Sequence, residues 1–230
     1  MNALAIDCAV SKIAVAAKKD TELVKVTLDI GMKQSEKLLP AIDYVMKEAG
    51  LTPQDLDFTA CTLGPGSFTG LRLGLSALKA LTLSHDVPLY GIPSLEAYAW
   101  PYRTSSLTVL SLIESKEDEY FFSIFSKGNK ILPETDGTEK DVLSHFDEES
   151  EFLVCGPGAK WFSERTSESA PLYKSICYLP QNDACEALLE IAEDYFKNKK
   201  DPLSDYEGPL YVRKSEAEIV LEKKNSAVTS

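Results

Sequence analysis

The chain has 230 residues, 44% of them hydrophobic and 26% charged, with a formal net charge of −12. A chain of that length buries about 70% of the surface its unfolded form exposes, which excludes any need for a disulfide or metal staple and leads us to expect two lobes of roughly 100 residues each. The excess of carboxylates excludes a stand-alone nucleic-acid binder, whose affinity would come from Lys and Arg releasing counterions.

In chain order, Ala3 to Ile6 reads as a buried strand ending at Asp7, Cys8 to Ser11 as a turn, Ile13 to Ala17 as a second strand and Glu22 to Ile30 as a third. Ser35 is the expected N-cap of a helix, with Glu36 in a first turn whose dipole favours a carboxylate. Leu38, Leu39, Ile42, Val45, Met46 and Ala49 recur at helical spacing and Gly50 supplies the stop. Pro40 fits only if that helix starts near Leu39. Thr52-Pro53-Gln54-Asp55 reads as another helix start and Phe58 to Leu63 as a short strand. Gly64-Pro65-Gly66-Ser67-Phe68-Thr69-Gly70 then leads into a helix carrying Leu71, Leu75 and Leu78, and Pro88 to Ile92 completes one α/β lobe.

The second half repeats that outline. Leu107 to Ile113 is a strand ending at Glu114, a charged turn leads to Tyr120 to Phe125, and Phe152 to Cys155 enters Gly156-Pro157-Gly158. The two Gly-Pro-Gly turns lie 92 residues apart, 156 minus 64, which suggests an internal duplication as the alternative to a chance match. After Asn182, the residues Ala184, Leu188, Ile191 and Tyr195 mark one face of a helix that Asp201-Pro202 stops. Beyond Leu210 to Arg213 we expect a charged helix from Ser215 and a disordered tail from Asn225 to Ser230. The division expected is a first lobe over 1–103 and a more divergent second lobe over 104–230, including the C-terminal helical segment.

The glycine-rich turn has two readings. A strand entering a helix N-terminus through small residues can offer backbone N–H groups of Gly64, Gly66, Ser67 and Thr69 to a phosphate. It can equally be a tight turn that lets Gly70 and Gly74 pack closely. It is neither a Walker loop nor the dinucleotide fingerprint, since its spacing is G-x-G-x-x-x-G. Asp7 is likewise a ligand of a hydrated metal beside a nucleotide phosphate or a cap of its own turn, and Glu114 stands in the matching position. No metal set is expected, because the two histidines, His85 and His145, form no ligand pair. Lys197, Lys199 and Lys200, and later Lys223 and Lys224, read as solvated helix ends. Five scattered cysteines without a Cys-x-x-Cys pair fit reduced thiols in the cytoplasm. Met1 to Asp7 lacks a signal-peptide pattern, and no apolar run approaches the ~20 residues that cross a bilayer.

Gly64-Pro65-Gly66-Ser67-Phe68-Thr69-Gly70-Leu71-Arg72-Leu73-Gly74 closely resembles the signature of the TsaB/YeaZ family. Ile6-Asp7, Ser35-Glu36-Lys37-Leu38-Leu39-Pro40, Gly91-Ile92-Pro93-Ser94-Leu95-Glu96-Ala97 and Pro209-Leu210-Tyr211-Val212-Arg213 resemble its other motifs, whereas 104–205 matches only in outline. The resemblance implies a two-lobed actin-like/Hsp70-like ATPase fold, each lobe built on a ribonuclease-H-like core. It also implies a non-catalytic accessory subunit that pairs with the catalytic subunit TsaD, joined by the ATPase TsaE. Together these transfer a threonylcarbamoyl group to the adenosine 3′ of the anticodon in tRNAs reading codons that start with A, and this chain would meet tRNA only through the complex. The implied interface comprises Ser35, Leu38, Leu39, Ile42, Met46, Phe68, Arg72, Leu73 and Leu83, with Leu39, Leu73 and Leu83 left over once each helix has filled its own core. The same surface would serve a homodimer when the partner is missing. No intrinsic cofactor is implied, with ATP or ADP held weakly at the interface of the complex.

Two departures from the family stand out. Many members carry a histidine just before the Ser-Glu pair where this chain has Gln34, and the catalytic paralogue's two metal-holding histidines on the equivalent helix have no counterpart in Gly31-Met32-Lys33-Gln34-Ser35-Glu36. After Glu114 a family arginine is replaced by Lys116, a poorer bidentate clamp. The alternatives are a stand-alone ATPase or small-molecule kinase using Asp7 and the two Gly-Pro-Gly turns, and a peptidase, which lacks ligands and a nucleophile–base pair.

Overall fold

The computed structural model describes residues 1–116, 118–176 and 183–213. Strands β1 (Asn2–Asp7), β2 (Lys12–Lys19) and β3 (Glu22–Asp29) form an antiparallel meander, and β4 (Phe58–Gly64) and β5 (Leu89–Pro93) add in parallel beyond β1, giving the order β3-β2-β1-β4-β5. A second sheet of β6 (Thr108–Lys116), β7 (Glu119–Ser126), β8 (Asn129–Thr138), β9 (Glu151–Cys155) and β10 (Lys174–Ile176) has the order β10-β9-β6-β7-β8. Counted from the other edge this is the same topology with the same parallel and antiparallel pairs. The duplication suggested by two short turns is therefore a duplication of the whole sheet.

The first sheet is covered on both faces, and the alternation of its strands shows how. Side chains along a strand point to opposite faces with period two. Leu4, Ile6, Ile13, Val15 and Ala17 face α1 (Gln34–Glu48) and α2 (Phe68–His85), packing with Leu38, Val45, Leu75 and Leu78. Ala3, Ala5, Ala14, Ala16 and Ala60 face the other way, towards α3 (Ser94–Ala99) and α6 (Cys185–Lys197), packing with Leu188, Ile191 and Ala192. Alanines carry little bulk, so α6 lies close against the sheet. The second lobe adds α4 (Glu139–Leu143) and α5 (Ala159–Ser169) around a core of Leu110, Leu112, Tyr120, Phe122, Phe152 and Phe162.

This placement of α6 corrects the expected lobe boundary. The helix contacts β1, β2, β4, β5 and α3, so the chain returns to the first lobe after β10 instead of staying in the second. The reason is the alanine-lined face, which needs more apolar cover than the short α3 gives, and α6 supplies it. The charged helix from Ser215 and the tail lie outside the described residues.

Three local expectations also change. Helix α1 begins at Gln34, after a 3-10 turn over Gly31–Lys33, with Lys33 at the N-cap and no side-chain cap, so Ser35 sits inside the first turn. Pro40 is then interior to the helix. Both Glu36 and Pro40 are exposed, so the carbonyl deprived of its partner by the proline is left to water. Thr52 and Asp55 close a complete capping box, but only over the 3-10 turn Pro53–Asp55, because Leu56 turns extended and buries its side chain.

Candidate functional site: a closed turn beside an open helix face

Asp7 ends β1 with its carboxylate buried. Its Oδ1 accepts from the Ala9 N–H (3.0 Å) and the Thr62 hydroxyl (3.1 Å), and its Oδ2 accepts from the Tyr98 hydroxyl (2.8 Å) and the Ala184 N–H (3.0 Å). Thr62 in turn accepts from the Cys8 N–H at 3.3 Å. The four donors come from the first turn, β4, α3 and the N-cap of α6. Burial pushes the Asp7 carboxyl up, and the hydrogen bonds oppose that shift without overcoming it. With both oxygens engaged, Asp7 clamps the lobe together and caps its own turn, the second of its two sequence readings.

The glycine-rich turn is closed by the chain's own backbone. The Ser67 N–H donates to the Ala9 carbonyl at 2.7 Å, and the Gly64 N–H to the Ser94 hydroxyl at 3.1 Å. The Ser67 hydroxyl accepts from the Gly70 N–H and so serves as the N-cap of α2. A Cβ at Gly66 would stand 2.3 Å from the Ala9 carbonyl oxygen, and one at Gly70 equally close to that of Cys8. Only glycine allows the β1–β2 turn to press against α2 in this way. Gly64, Gly66 and Ser67 thus make the tight packed turn; Thr69 alone of the expected phosphate contacts is exposed.

Gln34, which the sequence marked only as a departure, has a definite task. Its buried amide donates to the carbonyls of Val10 (2.9 Å) and Ser11 (2.8 Å), fastening the start of α1 to the same turn. Cys8 and Cys61 are buried beside it with thiols pushed upward by burial and by Asp7, Cys61 to about 12. Neither has a histidine to activate it. His85 sits at the end of α2 with Nδ1 3.3 Å from the Leu81 carbonyl, and His145 packs on Phe122 in the second lobe. Among the described residues no group of three or more His, Cys, Asp or Glu is arranged to hold a metal ion.

The helix face divides the expected interface residues. Leu38 and Met46 are buried in the lobe's own core, which corrects their assignment to the interface; Ile42 and Leu73 pack half-buried at its margin. Leu39 and Leu83 stand out at 66% and 72% exposure, and Ser35 is exposed too. Tyr44, exposed on α1, was not anticipated. Phe68 and Arg72 are already engaged within the chain. Tyr211 stacks on Phe68 (centroids 5.2 Å apart), its hydroxyl 2.8 Å from Arg72 Nε, while the Arg72 guanidinium lies 3.7 Å over the Phe68 ring. The only signal of that partnership in the sequence was the C-terminal motif around Tyr211.

Comparisons with known proteins agree with this geometry. A family model described as TsaD, tRNA N6-adenosine threonylcarbamoyltransferase, matches residues 31–204. The tRNA threonylcarbamoyladenosine biosynthesis protein TsaB of Escherichia coli (strain K12) is 25% identical over 226 residues, covering 94% of this chain and 96% of that one. The TsaB of Buchnera aphidicola is 28% identical over 139 residues, 59% of this chain and 66% of that relative, so this match spans just under two thirds of the relative's length. Among solved structures, a Pseudomonas aeruginosa protein described as similar to peptidase YEAZ superposes with a TM-score of 0.74 at 22% identity, over 92% of this chain and 99% of that one.

Proposed function

This chain belongs to the family described as TsaD, tRNA N6-adenosine threonylcarbamoyltransferase, among its TsaB/YeaZ members, and from that premise we propose that it is a non-catalytic accessory subunit which binds and activates a TsaD-like catalytic subunit. Its process is tRNA threonylcarbamoyladenosine biosynthesis, in which it acts as a partner protein. In this reading the complex transfers a threonylcarbamoyl group to the adenosine 3′ of the anticodon in tRNAs reading codons that start with A. A TsaE-like ATPase joins it, tRNA is met only through the complex, and the open helix face supports a homodimer when the catalytic subunit is missing. ATP or ADP is held weakly at the interface between chains and not inside this one.

The observation that carries the reading is the closed turn. Of the backbone groups that would receive a phosphate, those of Gly64 and Ser67 are spent on Ser94 and Ala9, and Asp7 is occupied by four donors. The exposed Leu39 and Leu83 support a docking role for α1 and α2, and the acidic charge supports contact with RNA through a partner.

The test is reconstitution of the modification from a catalytic subunit, the ATPase, the adenylate-forming enzyme, tRNA, threonine, bicarbonate and ATP, with and without this chain. Modified adenosine, read by mass spectrometry, is expected only when the chain is present, with no product from the chain alone. Equal modification without it would overturn the accessory role.

A further inference from the structure

Residues 201–213 leave the first lobe at the end of α6 and finish on the second. The segment is fastened at each step. The Leu203 N–H donates to the Leu89 carbonyl of β5 at 2.7 Å. The Lys79 ammonium of α2 donates to the carbonyls of Asp205 and Glu207, both at 2.6 Å, and to that of Ser204 at 3.4 Å. The Leu210 N–H donates to the Leu63 carbonyl of β4 at 2.7 Å, and the Leu210 carbonyl lies so near Gly64 that a Cβ there would meet it at 2.3 Å. Tyr211 stacks on Phe68. Two residues on, Arg213 crosses to the second sheet. Its Nε and Nη2 grip both oxygens of Asp136 on β8 (2.8 and 2.5 Å), and Nη2 also reaches Glu119 on β7 (2.5 Å).

The junction at α3 is largely of a different kind, although one ion pair there joins Glu96 of α3 to Lys130 of β8 at 3.3 Å. Leu95, Ala97 and Tyr98 of α3 share a buried apolar cluster with Ile113 of β6, and Phe121 of β7 packs against it. The cluster itself is apolar and non-directional, and it tolerates small rotations, while the Glu96–Lys130 pair is a single-point contact of a flexible ammonium with no bidentate geometry. The Arg213 contact is polar and directional, because a planar guanidinium matches a carboxylate bidentately in one orientation. Glu119 and Asp136 lie on neighbouring strands, with Phe121 opposite Asp136 and Glu119 opposite Thr138. Their two negative charges repel unless a cation lies between them, and Arg213 supplies it.

We propose that residues 201–213 form a strap that sets the angle between the two lobes, with α3 as the hinge and Arg213 as the latch on Asp136 and Glu119. The latch closes only when the strap, fixed to β4, β5 and α2, is brought within reach of β7 and β8. The angle is thereby built into the chain's own C-terminal segment.

The experiment is a distance measurement by double electron–electron resonance on the full chain. Spin labels are attached through ketone-bearing residues placed at exposed Glu48 on the first lobe and Lys160 on the second. The native latch should give one narrow distance distribution. Arg213→Ala should lose that single peak and shift population to other distances, with the far-ultraviolet circular dichroism unchanged. The paired variant Asp136→Asn with Glu119→Gln keeps shape and removes only the charges, and it should do the same. A native distribution in the paired variant would overturn the latch whatever Arg213→Ala does. The distances are read on the isolated chain, so they are independent of the outcome of the reconstitution.

Discussion

At the end of β1 the Asp7 carboxylate is buried under four donors, whereas in the matching place on β6 the Glu114 carboxylate stands in solvent. Both lobes have the same strand order, and both run the fourth strand of the sheet into Gly-Pro-Gly. In the first lobe the turn is sealed by Gln34, by the glycines of α2 and by the N-cap residue of α6, which arrives from 177 positions away. In the second, β6 runs on past Glu114 to Lys116, and the buried Gly156 and Gly158 press on Leu112 and Glu114 of β6, the Gly158 N–H donating to the Leu112 carbonyl at 3.1 Å. The difference teaches that the topology and the packed glycine turn were duplicated while the buried carboxylate clamp was not.

The largest expected effect tests whether the closed lobe depends on its core as its packing implies. Leu78 is fully buried, and Leu78→Glu should abolish cooperative unfolding of the first lobe, since burying an unpaired carboxylate costs several kcal/mol or more. Next, Asp7→Ala strands four donors and should cost about 3–5 kcal/mol in urea unfolding, whereas Glu114→Ala should stay within about 0.5 kcal/mol. Equal losses would break the contrast between the lobes. Gly70→Ala drives a Cβ onto the rigid Cys8 carbonyl and should cost about 1–3 kcal/mol. Gly158→Ala first meets a movable Leu112 methyl, then the Glu114 nitrogen at 2.9 Å, and should cost less by the same measurement.

A pH series sharpens the same comparison. Burial raises the Asp7 carboxyl, so the folded state holds its proton more tightly than the unfolded chain does. Between the unfolded value near 4 and the raised folded value, Asp7 therefore makes stability fall as pH rises. Asp7→Asn should remove that negative slope. It must be read as a difference from the native chain, because Glu193, held down to about 2 by Lys18 and Lys197, contributes with the opposite sign. The smallest expected effect on stability is at Leu39, where Leu39→Glu should leave the melting temperature almost unchanged yet abolish capture of the catalytic partner in a pull-down.

Much of the first lobe was legible because its signals are local. The apolar run into Asp7, the glycine spacing before α2 and the faces of α2 and α6 all follow from periodicity and turn chemistry. The second lobe was legible only where it echoed the first. Strand β8 carries Lys130, Pro133 and Glu134 at a sheet edge and shows no apolar alternation, so it gave no strand signal. What the sequence concealed at the site was pairing over distance. Tyr98 and Ala184 reach Asp7 from 91 and 177 residues away, and nothing in their own neighbourhoods announces it. Leu38 and Met46 were misjudged because periodicity identifies an apolar stripe but not which of its edges the lobe itself consumes.

The alanine-lined face of the first sheet has a consequence for biosynthesis. Its strands β1, β2 and β4 emerge early, but the helix that covers them ends at Lys197. With about 100 residues between α3 and the end of α6, and chain growth of about 5–20 residues per second, that face waits roughly 5–20 s for its cover. The lobe made first is the lobe finished last, and a nascent chain halted before α6 presents an alanine face covered in part by α3 to whatever meets it at the ribosome.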